Sequence, residues 1–308
     1  MKIIKGSHKL ENLNLKNPVL TIGNFDGLHI GHQLIIKSAV QRAKVIGGVS
    51  ILYTFNPHPL AVLAPHKTPP TITTFTEKVR LLKKSGVDLL VTERFTKKFA
   101  DNTPEQFIKD ILYQRFHPHE ILVGHDYAFG KGRGGTVSLL KKMGRELGFT
   151  VWEIRDIRID DIPVRSTTIR TFISAGKVYE ASRLLGRPYR LAGTVRKGKQ
   201  RRIGFATANL DPDKQLVPPN GIYAIRAETP YGLFDGVVNI GFCPTFGNNA
   251  RTIEAHLFDF NKTLYGRRIA LLFVDRVRGE KKFKDVTSLK LQIEKDIRRA
   301  KKILHSAF

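Results

Sequence analysis

The run Gly23-Asn24-Phe25-Asp26-Gly27-Leu28-His29-Ile30-Gly31-His32 holds the densest concentration of chemistry in this chain of 308 residues. Glycines at 23, 27 and 31 allow a backbone to approach an anion closely, and amides at the start of a helix point at one. His29 and His32 stand three positions apart, so on a helical turn both rings can face the same ligand. Imidazoles placed that way donate hydrogen bonds to phosphate oxygens and stabilise charge that builds during phosphoryl transfer. The spacing also suits a zinc pair. No third metal ligand lies nearby in the sequence, and the glycine framing points to phosphate.

Such a loop needs a strand before it and a helix after it. Val19 to Ile22 reads as a buried strand, and residues 33–44 carry apolar positions at Leu34, Ile35, Ala39 and Ala43 in helical spacing. The alternation continues. Strands are expected at 49–55, 87–91, 121–123 and 149–154, with a helix over 137–147. Helix starts are expected at Thr74, three residues before Glu77, and at Thr103-Pro104-Glu105-Gln106. This alternation implies a parallel sheet with right-handed crossovers, whose ligands sit beyond the carboxyl ends of the strands. The loops opening at Gly23, Asn56 and Gly124 all follow strands.

The pattern changes near residue 185. Residues 170–185 look helical, and Gly186-Arg187-Pro188 looks like a hinge. Beyond it, short strands are expected at 189–195, 221–227, 234–240, 251–258 and 268–276, the signature of an antiparallel barrel. A helix over 288–304 closes the chain, with an apolar stripe at Leu289, Ile293, Ile297, Ala300 and Leu304. The expected fold class is therefore α/β. A Rossmann-like parallel-sheet domain (1–185) precedes a small antiparallel β-barrel domain with a C-terminal helix (186–308).

Composition narrows the class further. Apolar residues make up 41%, enough for a sizeable core. The single cysteine, Cys243, excludes an internal disulfide framework and a multi-cysteine zinc site, and fits a reducing, cytoplasmic setting. The N-terminus lacks a secretory pattern, and no apolar run reaches membrane-spanning length. The formal charge is +25, from 52 Lys and Arg against 27 Asp and Glu. A basic surface can bind nucleic acid. Here the basic residues are spread along the chain, which also fits a basic proteome or a surface that attracts phosphate-bearing small molecules, and the charges of the C-terminal helix are read as a solvated face. Nothing in the sequence names a protein partner.

The Gly-Asn-Phe-Asp-Gly-x-His-x-Gly-His run resembles the signature of bacterial bifunctional riboflavin kinase/FAD synthetases. The likeness covers nearly the whole chain. It extends to Thr54-Phe55-Asn56-Pro57-His58-Pro59, Val123-Gly124-His125-Asp126-Tyr127-Ala128-Phe129-Gly130, Arg165-Ser166-Thr167-Thr168-Ile169-Arg170 and Leu184-Leu185-Gly186-Arg187-Pro188-Tyr189.

The resemblance implies roles residue by residue. His29 and His32 would contact ATP phosphates on the nucleotide loop built by Gly23, Asn24, Phe25, Asp26, Gly27 and Gly31. Ser166, Thr167 and Arg170 would close over those phosphates, although Ser166 and Thr167 also suit plain N-capping. Asn56, His58 and Asp126 would face the flavin. In the second half, Ile203-Gly204-Phe205-Ala206-Thr207-Ala208-Asn209 stands where relatives carry Gly-x-Pro-Thr-Ala-Asn. There Gly204 would meet ATP, and Thr207 and Asn209 would hold Mg2+. Asn239 to Gly247 would form a loop near the substrates. Glu254 would be the base for the riboflavin hydroxyl, its plain alternative being a strand glutamate facing solvent. Ala206 replaces a proline, and the segment 196–202 is poor in glycine.

The implied activity has two steps with ATP as co-substrate: riboflavin to FMN, then FMN to FAD with release of pyrophosphate. An FMN phosphate is already anionic and needs no base, whereas a riboflavin hydroxyl does. An alternative keeps the adenylyl transfer and makes the barrel a non-catalytic flavin-binding module.

Overall fold

The computed structural model describes residues 1–10, 13–197, 207–242, 251–281 and 283–306. The chain divides into two compact units. One comprises Met1–Pro69 and Phe75–Val164, and the other Pro70–Thr74 and Arg165–Phe308.

In the first unit, six strands form one sheet: β1 (Lys2–Lys5), β2 (Pro18–Ile22), β3 (Val49–Phe55), β4 (Leu89–Glu93), β5 (Glu120–Gly124) and β6 (Thr150–Ile154). Their order is β1-β4-β3-β2-β5-β6, and every pairing is parallel. The expected parallel sheet is present. Central strands read as apolar runs because both faces are covered, and Val19, Leu20, Leu52, Leu90 and Val91 are all 0% exposed. The edge strand β1 escaped the sequence reading. Only Ile4 of its four residues is buried, so it carries no apolar run.

The helix Ile30–Val45 follows β2 and buries Ile36, Ala39, Val40 and Ala43. The chain leaves β2 toward β3 on one side, while β5 pairs on the other. The order therefore reverses beside β2, and the crevice of such a sheet opens at this switch point. The loop 23–29 lies there. The helix expected at Thr103 begins with a complete capping box: Gln106 N–H donates to Thr103 Oγ1 at 3.2 Å, and Thr103 N–H to Gln106 Oε1 at 2.9 Å. A two-residue hairpin, β7 (Arg158–Ile159) and β8 (Ile162–Pro163), follows β6.

The second unit starts with helices Ser166–Ser174 and Val178–Leu185. Then come β9 (Tyr189–Arg196), β10 (Ala208–Pro212), β11 (Gly221–Thr229), β12 (Gly232–Phe242), β13 (Arg251–Leu257) and β14 (Arg268–Arg278). They close into an antiparallel barrel in the order β10-β13-β12-β11-β14-β9. β10 was not anticipated: Leu210 is its one buried residue, so it shows no alternation, yet it closes the ring between β13 and β9. Tyr223, Ile225, Val238, Ile240, Leu271 and Phe273 are each 0% exposed in the barrel strands. The helix Val286–Ser306 covers one side, burying Ala300 and Leu304 against Ala224, Val237, Val274 and Val277.

Candidate functional site

The first candidate site grows from the strand-to-helix junction. His29 occupies the N-cap of the helix Ile30–Val45, with φ −66° and ψ 169°. Its Nδ1 accepts from the His32 amide at 3.2 Å, satisfying one of the amides a helix start leaves open. This cap brings the rings of His29 and His32 face to face, with centroids 3.6 Å apart and planes 17° from parallel. The Phe25 ring meets His32 edge-on at 5.2 Å. A stack of this kind turns both rings the same way. The zinc alternative loses ground with it: among the described residues, no group of three or more His, Cys, Asp or Glu side chains is placed to hold a metal ion.

The loop is wound tightly. Phe25 and Leu28 have φ of 48° and 43°, and Gly27 has φ of 83°. The left-handed region costs a non-glycine residue about 1–3 kcal/mol, so the surroundings must hold the loop. Three side chains among the described residues do so: Gln33 Nε2 donates to the Leu28 carbonyl at 2.8 Å, and Lys78 Nζ and Thr54 Oγ1 donate to the Asn24 carbonyl at 2.5 and 3.4 Å. Gly31 is a glycine for a different reason. A Cβ there would lie 3.1 Å from His29 Nδ1, too close for the stack.

Electrostatics set the site apart from ordinary packing. Asp26 and His29 are each 6% exposed, and Lys78 is 8% exposed. Burial, then the charges of His29 and Lys78, push His32 well below the usual histidine range, so its ring is neutral. Burial lowers Lys78 to about 8, while nearby Asp26 acts the other way. Buried atoms without a hydrogen-bond partner among the described residues include Asn24 Oδ1 and His32 Nδ1. Buried polar atoms are ordinarily paired, and two orphans in one loop mark a place built for something else to bind.

The remaining residues expected around this site are placed as follows. Asn56 is exposed and joined to Pro57 by a cis peptide bond. His58 caps the short helix Pro59–Leu63, its Nδ1 accepting from Leu60 N–H at 3.2 Å. Asp126 is exposed just beyond β5, between Gly124 and Tyr127. Phe55, Phe95, Phe99, Phe107, Phe129 and Tyr127 form a continuous row of ring contacts, with neighbouring centroids 5.3 to 6.2 Å apart. Ser166, Thr167 and Arg170 belong to the second compact unit. Arg165 is the N-cap there and makes no side-chain cap bond. Ser166 is therefore the first helical residue, and the plain N-capping reading of it does not hold. Arg170 Nε donates to the Pro70 carbonyl at 3.0 Å.

The second candidate site lies on the barrel wall. Asn209 on β10 stands opposite Glu254 on β13, and Glu254 stands opposite Asn239 on β12. Residues directly opposite share a face, so these three form one row. Ile253 and Ala255 flank Glu254 in the strand and are 4% and 1% exposed, which turns Glu254 to the other face, half-buried between two amides. Thr207, two residues before Asn209, is exposed and borders a cavity of about 310 Å³ with Val195, Ala255, Leu257 and the turn 260–265. Asn239 to Phe242 belong to β12 rather than to a loop. Gly204, Ala206, Cys243 and most of the glycine-poor segment lie outside the described residues.

Sequence reading passed over two charged residues. Lys78 sits in what looks like an ordinary polar helix start, and only its helical phase, one turn before Leu82, hinted at burial. Glu280 receives a hydrogen bond from Asn220 Nδ2 at 3.2 Å. A Cβ on Gly241 would lie 3.3 Å from Glu280 Oε1 and 3.7 Å from Asn239 Oδ1, so this carboxylate flanks the row.

Comparison with known proteins meets both halves. The family model for FAD synthetase matches residues 11–168, and that for riboflavin kinase matches residues 185–304. A bifunctional riboflavin kinase/FMN adenylyltransferase from Buchnera aphidicola (subsp. Schizaphis graminum) is 35% identical, over 98% of this chain and 98% of its own. The proteins of that name from Haemophilus influenzae and Escherichia coli K12 are 33% and 35% identical, over 99% and 96% of this chain and 100% and 96% of their own. A crystal structure of a Streptococcus pneumoniae protein, named as a macrolide-efflux protein, superposes with a TM-score of 0.85 at 29% identity, covering 96% of this chain and 97% of that one. Among the described residues here, no helix is long and apolar enough to cross a membrane.

Proposed function

This chain belongs to the family of bifunctional riboflavin kinases/FMN adenylyltransferases, and from that premise we propose how its two halves divide the work. It is a transferase that phosphorylates riboflavin to FMN and adenylylates FMN to FAD. The match of the riboflavin kinase model to residues 185–304 does not favour a non-catalytic barrel. We assign adenylyl transfer to residues 1–185 and riboflavin phosphorylation to residues 186–308.

The observation that carries the first assignment is the stacked histidine pair at the helix start beside β2. The ATP phosphates lie against the amides of the Gly23–Gly31 loop. His29 and His32 donate to the oxygens where charge builds as the FMN phosphate attacks the α-phosphorus and pyrophosphate departs. No proton needs removing from the attacking group, so the site works by positioning and charge stabilisation. Asn56, His58 and Asp126 face the flavin.

In the barrel, Glu254 accepts the proton of the riboflavin 5′-hydroxyl, held in place between Asn209 and Asn239. Thr207 and Asn209 are hard oxygen donors, and with the phosphates they fit Mg2+. Bound there, the ion would neutralise charge on the transferring phosphoryl group. Gly204 meets the ATP of this half. The single cysteine and the soluble cofactor chemistry support a cytoplasmic setting.

One incubation tests this division. The chain is given riboflavin, ATP and magnesium, and riboflavin, FMN and FAD are resolved by chromatography. His29→Ala accumulates FMN. Glu254→Gln leaves riboflavin unconverted but still turns added FMN into FAD. Loss of both steps in either variant would refute the assignment.

A further inference from the structure

We propose that Lys78 is a positioning residue for adenylyl transfer: its buried ammonium pins the nucleotide loop at the Asn24 carbonyl and holds a positive charge beside His32. The inference rests on the reading of Gly23–His32 as the adenylyl-transfer loop.

Lysine is among the side chains least often buried, and burial of its charge needs compensation. Lys78 is 8% exposed, in the helix Phe75–Lys83. Its Nζ donates to the Asn24 carbonyl at 2.5 Å. Among the charged and titratable groups of the loop, Asp26 acts on Lys78, and Lys78 in turn acts on His32. On its own helix, Glu77 is engaged by Arg80 through two hydrogen bonds, at 2.7 and 2.8 Å.

The geometry gives this charge two tasks. The first is mechanical. The loop holds Phe25 and Leu28 at φ of 48° and 43°, and its carbonyls are gripped at one end by Lys78 and at the other by Gln33. Without Lys78 the Asn24 carbonyl keeps the longer bond from Thr54 Oγ1, at 3.4 Å, so the loop can relax toward ordinary backbone angles, and Asn24 Oδ1, which has no hydrogen-bond partner among the described residues, leaves its place. The second is electrostatic. A positive charge next to His32 disfavours the imidazolium, so the ring enters the reaction neutral. The same charge supplies the site with positive potential that a triphosphate would otherwise have to find in solvent.

The test uses the full chain with Lys78→Met, which keeps length and apolar volume, and Lys78→Arg, which keeps charge. His29→Ala serves as the reference. Lys78→Met is expected to lower kcat for FMN adenylylation about 100-fold, with KM for ATP changed less than about threefold. Lys78→Arg should recover at least about tenfold of that loss, and riboflavin phosphorylation should be unchanged in every preparation. In ring-nitrogen NMR, the His32 titration midpoint should move up in Lys78→Met, a signature a packing role would not produce. Adenylylation by Lys78→Met within about threefold of the parent overturns the inference. So do equal losses in the Met and Arg variants with an unmoved His32 titration, which mark a structural plug. Should the Met variant not fold, Lys78→Gln carries the same comparisons. Intact adenylylation in His29→Ala would instead remove the reading of the loop itself.

Discussion

A helix cap and the histidine pair proposed for catalysis are one object in this protein. The bond from the His32 amide to His29 Nδ1 closes the helix start, and the same bond stacks the two rings. Removing one positioned donor from a phosphoryl-transfer site costs about 10²–10³ in kcat. His29→Ala should therefore lose that much in FMN adenylylation, while the affinity for FMN, measured by quenching of flavin fluorescence, changes little. Lys78 makes a separate prediction about stability. Its pKa falls from 10.5 in the unfolded chain to about 8 in the fold. Between those values the unfolded state binds more protons, so stability rises with pH across that window. The urea midpoint of the parent, relative to that of Lys78→Met, should climb between pH 8 and pH 10.5 and stay flat between pH 6.5 and pH 7.5.

At the scale of elements, the strand β2 and the helix Ile30–Val45 act together. β2 ends where the strand order reverses, and the helix starts with its amides facing that crevice. Gly31 is what allows the two rings to sit inside the first turn. Gly31→Ala puts a Cβ 3.1 Å from His29 Nδ1. The substitution favours the helix by up to about 1 kcal/mol while displacing the ring. Adenylylation should drop at least about tenfold, and the thermal midpoint should hold or rise. A fall in both together would mean that the site is lost through unfolding rather than through geometry. In the barrel, β10 has the corresponding importance. Its register is what sets Asn209 against Glu254, and that pairing is invisible in a segment with one buried side chain.

Over the whole molecule, each unit has its own core. The cluster around Leu20, Ile51, Ile108 and Ile121 belongs to the first unit, and the one joining Ala224, Val274, Ala300 and Leu304 to the second. The two activities should therefore be separable in trans. Mixing His29→Ala with Glu254→Gln should restore conversion of riboflavin to FAD, because FMN made by one chain reaches the other. The C-terminal helix is tied to the barrel by Arg278, which grips Asp296 at 2.8 to 3.0 Å, and Asp296 is 5% exposed and also receives Gln292. Breaking a buried pair from one side costs about 3–5 kcal/mol. Arg278→Ala should lower the unfolding free energy of the barrel by up to about that much, read from the denaturation of kinase activity, while adenylylation denatures as before.

The sequence by itself determined the two fold classes, the strand-to-helix junction at Gly23–His32 and most element positions, because these depend on local spacing: buried runs, a Thr103 capping box, glycines before a helix. It also carried the family likeness. Tertiary structure decided what depends on partners distant in the chain. The edge strand β1 and the closing strand β10 exist through the strands they pair with, not through their own patterning. Lys78 became part of the histidine loop only when its helix packed onto it, 54 residues from Asn24. Glu280 likewise reached the Asn239 row only through the pairing of β11 with both β12 and β14. Periodicity records which side of an element is buried, but not what lies across from it, and a charged side chain acquires its role from the groups that fold against it.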